Sequence, residues 1–298
     1  MSYCHVVTRQ IYPPTTNNLC FFSKGQTFHS TLYSDQLSLD CCNRCLALIF
    51  PAFIFFRKKM RNVWIVRHGE RIDKVDPRWM FQAPRGAWDD PPLTPRGLKQ
   101  AQEVGFRLSK ESTIDYIFVS PFIRCLQTAT NIINELPNKK NLKIFIEPGF
   151  IESLSCTQFP PGCLSSQELK ELFPLVDTTY EPFLTKFDPE EDHLECEGRI
   201  QSTLESIFER FSVPSNILIV SHGSPIAAMH IILNQKYKYV GICTISHYTI
   251  QNAGNNSPSN QENKRKKGNH LHKKYSIKCL LAGDSSHLSD RNNLRDNY

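Results

Sequence analysis

At 298 residues, with 40% hydrophobic and 21% charged content, the chain can bury a proper core and falls outside the disordered class. The formal charge of +6 is modest and local, concentrated in Lys264-Arg265-Lys266-Lys267, Lys273-Lys274 and Arg57-Lys58-Lys59 with Arg61. No aromatic residues interleave these runs, so no nucleic-acid partner is expected, and the first reads as a solvated loop.

Eleven cysteines is an odd number, so at least one stays unpaired, and Cys4, Cys20, Cys41, Cys42 and Cys45 crowd the first 45 residues. Cys42 and Cys45 have CxxC spacing without a second pair, so a zinc site is not indicated. Reduced thiols in the cytoplasm are the default.

The apolar run from Cys45 to Phe56 contains Pro51 and is too short to span a bilayer, which takes about 20 residues. Its basic residues follow it, the reverse of a secretory signal. Two readings stay open. Residues 41–61 could form a weak membrane-surface anchor, helped by acylation of Cys41, Cys42 or Cys45. Alternatively, residues 1–59 are an extension the fold does not need, with a complete domain opening at Met60 and running over 60–298. The second is preferred.

From Met60 onward short apolar runs alternate with helical patterns. Strands are predicted at Asn62–Val66, Ile114–Val119, Leu142–Ile146 and Asn216–Val220, and the first and last read as buried on both faces. Helices are predicted to begin at Thr94-Pro95, Ser120-Pro121 and Ser224-Pro225, each pairing a good N-cap with proline at the first helical position. Another covers Glu197–Phe211, with Ile200, Leu204, Ile207 and Phe211 on one side. Residues 251–274, rich in Asn, Ser and Lys, read as a disordered loop before a last strand at Tyr275–Leu281. The expected architecture is α/β, a three-layer sandwich with a mostly parallel central sheet flanked by helices.

In such folds chemistry sits at the carboxyl ends of the strands, and two of the predicted strands end in His-Gly: His68-Gly69 and His222-Gly223. A phosphate monoester is a dianion, and binding it without metal takes several fixed cations, guanidinium forks above all. Arg67 and Arg71 flank His68, Arg124 lies in the first turn of a helix at its anion-friendly end, and His222 could add a donor.

As a set, Arg67-His68-Gly69-Glu70-Arg71, Leu93-Thr94-Pro95-Arg96-Gly97, Ser120-Pro121 with Arg124, Thr128 and Ala129, Glu147-Pro148-Gly149 with Glu152, and Ser221-His222-Gly223 closely resemble the histidine phosphatase superfamily, with its phosphoglycerate mutase-like fold. Within it, the run looks most like the phosphatase domain of the suppressor-of-T-cell-receptor-signalling and ecdysteroid-phosphate phosphatase proteins. The resemblance implies a metal-independent and cofactor-free phosphatase. In it His68 is the nucleophile, Arg67, Arg71, Arg124 and His222 bind phosphate, His222 assists catalysis, and Glu152 is the proton donor. Glu147 is a rival for that last role, and the residues alone do not separate the two.

The resemblance suggests phosphotyrosine or steroid phosphates as substrates and a homodimer. The upstream ubiquitin-binding and SH3 modules of those proteins are not expected in the 60 residues before the domain. The chain departs from the pattern after Glu152, where Ser153 stands in place of an expected aromatic. Trp79, Met80, Phe81 and Trp88 could wall an apolar substrate pocket or simply pack under a long loop. Mutases of the superfamily carry RHG-x-S, whereas Arg71 here favours hydrolysis. A catalytically silent phosphate-binding scaffold is the alternative from another class.

Overall fold

The computed structural model describes residues 60–111, 113–188, 192–253 and 270–295. The expected extension over residues 1–59 lies outside them. Six strands form one sheet: β1 (Met60–Arg67), β2 (Tyr116–Val119), β3 (Ile144–Ile146), β4 (Ser215–Ser221), β5 (Ile245–Asn252) and β6 (Tyr275–Asp284). Their order is β3-β2-β4-β1-β5-β6. The four strands from β3 to β1 run parallel, and the β1–β5 and β5–β6 pairs are antiparallel. The sheet is thus mostly parallel, as expected, with the added β5 between β1 and the last strand.

Alternation along the central strands builds the layers. Trp64 and Val66 of β1, Ile117 and Val119 of β2, and Leu218 and Val220 of β4 face one side. There they pack on α1 (Pro95–Leu108), through Ala101, Val104 and Leu108, and on α2 (Ile123–Glu135), through Leu126, Ala129 and Ile132. Val63, Ile65, Phe118, Ile217 and Ile219 face the other side. They meet Ile200, Leu204 and Ile207 of α4 (His193–Arg210) and Ile226 and Met229 of α5 (Gly223–Asn234). Helices therefore cover both faces. A short α3 (Ser166–Leu172) adds Leu169 to the first layer.

Helix starts differ from the sequence expectation in an instructive way. Thr94 does cap α1, its Oγ1 accepting from Gly97 N at 3.0 Å. Ser120 does not cap α2: the helix begins at Ile123, whose N–H is accepted by Asp90 Oδ1 at 2.7 Å. Ser224 lies inside α5, where extended His222 occupies the cap position. α4 begins four residues earlier than expected because Asp192 and Glu195 form a capping box.

Two further expectations change. Gln251 and Asn252 belong to β5, and His270–Lys274 form a short helix, α6, anchored by the buried Leu271. Only 254–269 of the proposed loop lie outside the described residues. Arg61, grouped by sequence with a possible membrane-surface run, is 1% exposed. Its guanidinium donates to Ser215 Oγ at 3.3 Å and to the carbonyls of Phe208 (3.0 Å) and Phe211 (2.7 Å) at the end of α4. It closes the fold, satisfying carbonyls that a helix end leaves orphaned. No helix among the described residues is long and apolar enough to cross a membrane.

Candidate active site

β1 and β4 are parallel neighbours with Arg67 opposite Ser221, so the residues that follow, His68 and His222, emerge side by side. Their ring centroids are 5.2 Å apart at 58°. Main-chain contacts fix this pairing, with His68 N donating to Ser221 O at 3.0 Å.

The loop after His68 is pinned from below. Gly69 N donates to Thr128 Oγ1 at 3.2 Å, and Thr128 in turn donates to Arg124 O at 2.8 Å. Glu70 accepts from Thr94 Oγ1 (2.7 Å) and pairs with Arg96 (2.6 Å). Here two glycines are required: a Cβ at Gly97 would stand 2.4 Å from Glu70 O, and one at Gly69 would stand 2.5 Å from Gly97 O. The Leu93–Gly97 run is thus a platform for the histidine loop.

His68 is fully buried. Its Nδ1 lies 2.8 Å from Gly69 O, and a carbonyl can only accept, so Nδ1 carries the hydrogen and Nε2 keeps its lone pair. Nε2 makes no hydrogen bond. Burial, then the charges of Arg124, Arg67 and Arg71, hold the imidazole well below its usual range, so it is neutral at pH 7.

Three arginines surround it. Arg67 is buried, donates to Val240 O at 3.0 Å and lies 5.1 Å from the ring of Tyr239. Arg124, 1% exposed, donates to Asp89 O at 2.8 Å and sits 4.3 Å from the Phe122 ring, while its Nε makes no hydrogen bond. Arg71 is held by both oxygens of Asp73, at 2.9 and 2.5 Å. It still bears electrostatically on His68, Arg124 and His222. Guanidinium forks converging on one place suit an anion with several oxygens.

His222 is also fully buried and held neutral, by burial first and then by Arg124. Its Nε2 lies 2.7 Å from Ser120 Oγ and 3.5 Å from Cys125 Sγ. Burial pushes the Cys125 thiol up to about 12, so it is no thiolate nucleophile.

The two candidate acids separate cleanly. Glu147 accepts from Gly149 N, Tyr180 Oη, Phe183 N and Leu184 N, at 2.7–3.2 Å. Its oxygens are committed to holding chain segments together. The Glu152 carboxylate, in a residue 2% exposed, accepts from Ser153 N at 2.9 Å, and its Oε2 makes no hydrogen bond. It acts electrostatically on Arg124, so it belongs to the same cluster.

The structure therefore brings together His68, Arg67, Arg71, Arg124, Glu152 and His222. Sequence reasoning missed Ser120 as a partner of His222, having taken it for a helix cap. It also missed Asp89 and Asp90. Burial pushes the Asp90 carboxyl up to about 6 against the pull of Arg124. The doublet ahead of Pro91 was its one visible signal.

Beside the cluster lies a cavity of about 520 Å³, whose wall includes Cys156, Ser224, Ala227, Ile231, Tyr237 and Tyr239. Trp79, Met80, Phe81 and Trp88 do not line it, and Phe81 is 87% exposed.

The model of the histidine phosphatase superfamily (branch 1) matches residues 63–253. The human ubiquitin-associated and SH3 domain-containing protein B is 33% identical, covering 56% of this chain and 31% of its own length. The Drosophila melanogaster ecdysteroid-phosphate phosphatase is 29% identical over 56% of this chain and 26% of its own. The chain thus spans less than a third of the length of these relatives. The crystal structure of the Bombyx mori ecdysone phosphate phosphatase with tungstate is 22% identical, with a TM-score of 0.49, covering 63% of this chain and 88% of that one.

Proposed function

The chain belongs to the histidine phosphatase superfamily (branch 1), and from that premise we propose that it hydrolyses phosphate monoesters through a phosphohistidine intermediate. The observation that carries the reading is His68: neutral, with Nδ1–H given to Gly69 O and Nε2 bare among arginines. A neutral imidazole so oriented is a nucleophile, and a dianionic ester beside Arg67, Arg71 and Arg124 is its natural partner.

In the first step Nε2 of His68 attacks phosphorus in line, forming a P–N bond as the ester P–O bond breaks. Glu152 acts as general acid, giving a proton to the departing alkoxide. In the second, water attacks the phosphohistidine, Glu152 takes its proton, and phosphate leaves as His68 regains its lone pair. Arg67, Arg71, Arg124 and His222 bind the non-bridging oxygens and neutralise the charge that spreads over them.

The apolar cavity beside Tyr239 supports a bulky, largely apolar alcohol as the leaving group, such as a phosphotyrosine side chain or a steroid. One relative's name, ecdysteroid-phosphate phosphatase, points toward the steroid.

Purified protein with para-nitrophenyl phosphate in EDTA tests the reading, beside His68→Ala. Chelator-resistant turnover lost in the variant is expected. No turnover by the parent protein would favour a silent phosphate-binding scaffold, and turnover that survives in His68→Ala would overturn the nucleophile. Phosphate release from steroid phosphates, phosphotyrosine peptides and sugar phosphates then ranks the leaving groups.

A further inference from the structure

Glu152 sits in irregular chain between two 3-10 turns, Pro148–Phe150 and Leu154–Cys156, where no helix or strand fixes its direction. A proton donor must nevertheless be held within hydrogen-bond reach of one oxygen. What holds it comes mainly from α4. Arg199 Nη1 donates to Gly149 O at 2.8 Å and to Ile151 O at 3.1 Å, and Nη2 lies 3.4 Å from Glu152 O. One guanidinium thus gathers three carbonyls, the last belonging to the acid itself.

One turn further along α4, Thr203 packs so closely on the loop that a Cβ at Gly149 would stand 2.2 Å from its Oγ1. Thr203 Oγ1 donates to Arg199 O at 2.8 Å, tying both contacts to the same turn of helix. From the sheet side, Ser221, the residue before His222, donates from Oγ to Phe150 O at 2.8 Å. The acid loop is therefore clamped between α4 and the strand that carries the second histidine.

We propose that Arg199 is a positioning residue for the reaction: it sets the backbone of the Glu152 loop so that the carboxyl faces the leaving oxygen. The inference rests on the reading of Glu152 as proton donor. Arg199 acts through these carbonyls. A planar fork is suited to this, because it can address several acceptors from one rigid group, which a lysine ammonium does not match.

The test uses leaving groups of different basicity, measured on the full chain. Without its donor, a phosphatase struggles with phenyl phosphate, whose leaving group needs the proton, far more than with para-nitrophenyl phosphate. Arg199→Gln and Arg199→Lys are each expected to lower kcat on phenyl phosphate about 10- to 100-fold, the scale of a misplaced catalytic group. On para-nitrophenyl phosphate the loss stays within about threefold, with KM little changed, because phosphate capture by the arginines is intact. The double variant Glu152→Gln/Arg199→Gln should be no slower than Glu152→Gln alone, since the two act as one unit.

Equal losses on both esters, or additive losses in the double variant, would overturn the inference by making Arg199 merely structural. Should Arg199→Gln fold poorly, Arg199→Lys and Thr203→Val report on the same clamp, with melting temperature as the check on folding. If Glu152→Gln itself loses equally on both esters, the proton-donor reading fails instead, and the two failures are distinguishable.

Discussion

Both ends of β1 bury an arginine, and the two are used in opposite ways. At the amino end Arg61 gives its hydrogens to Ser215 Oγ and to two carbonyls at the end of α4. At the carboxyl end, Arg67 and His68 open onto a cluster where His68 Nε2, Arg124 Nε and Glu152 Oε2 make no hydrogen bond. Buried polar atoms without partners are costly, and a fold keeps them where a ligand is to supply the partner. One end of the strand closes the protein, and the other keeps unmatched polar atoms that the proposed phosphate would engage.

Removing the proposed nucleophile should separate the two ends most sharply. His68→Ala is expected to lower turnover of para-nitrophenyl phosphate about 10⁴-fold or more, with no loss in melting temperature. Next comes Arg124→Ala, with a fall in kcat/KM of about 100- to 1000-fold, the scale set by losing one charged donor to a transition state. The cost in stability should be smaller than for Arg61→Ala, because Arg124 donates to one carbonyl, Asp89 O, where Arg61 donates to three acceptors. Arg61→Ala inverts this pattern. It should cost about 2–4 kcal/mol in urea denaturation, since buried carbonyls lose a charged donor, while turnover per folded molecule is unchanged. A large catalytic defect in Arg61→Ala would break the comparison.

Much of the functional end was legible in the sequence because its signals are local. Arg67, His68 and His222 follow short apolar runs that read as buried strands, and Arg124 follows Ser120-Pro121 at fixed spacing. What escaped reading depends on distant partners. Ile123 N is capped by Asp90, 33 residues earlier in the chain, so Ser120 was free to meet His222 instead. Arg61 looked like part of a basic surface run, and only the register of β1 against β4 turns it toward Ser215. Glu147 and Glu152 are equivalent as letters. The donors that converge on Glu147 from residues 180–184 tell them apart, and their approach belongs to tertiary packing.

The finest prediction concerns acid. His68 and His222 are held neutral with values well below the ordinary 6.5, so the unfolded chain binds protons that the folded chain refuses. Stability tied to their neutral forms is complete above about pH 6.5 and is lost as pH falls toward the folded values. Each histidine then contributes a slope of up to about 1.4 kcal/mol per pH unit below about pH 6. Asp90, raised to about 6, opposes one of them between about pH 6 and 4, because there the folded state takes up its proton first. His68→Asn removes one imidazole and should shrink the stability difference between pH 7.5 and pH 5.0 by up to about 2 kcal/mol, read from urea midpoints. An unchanged slope would mean that His68 takes up its proton as readily in the folded chain as in the unfolded one. A protonated imidazole has no lone pair on Nε2, so turnover by the proposed nucleophile would then fall away below about pH 6.5 instead of persisting into acid.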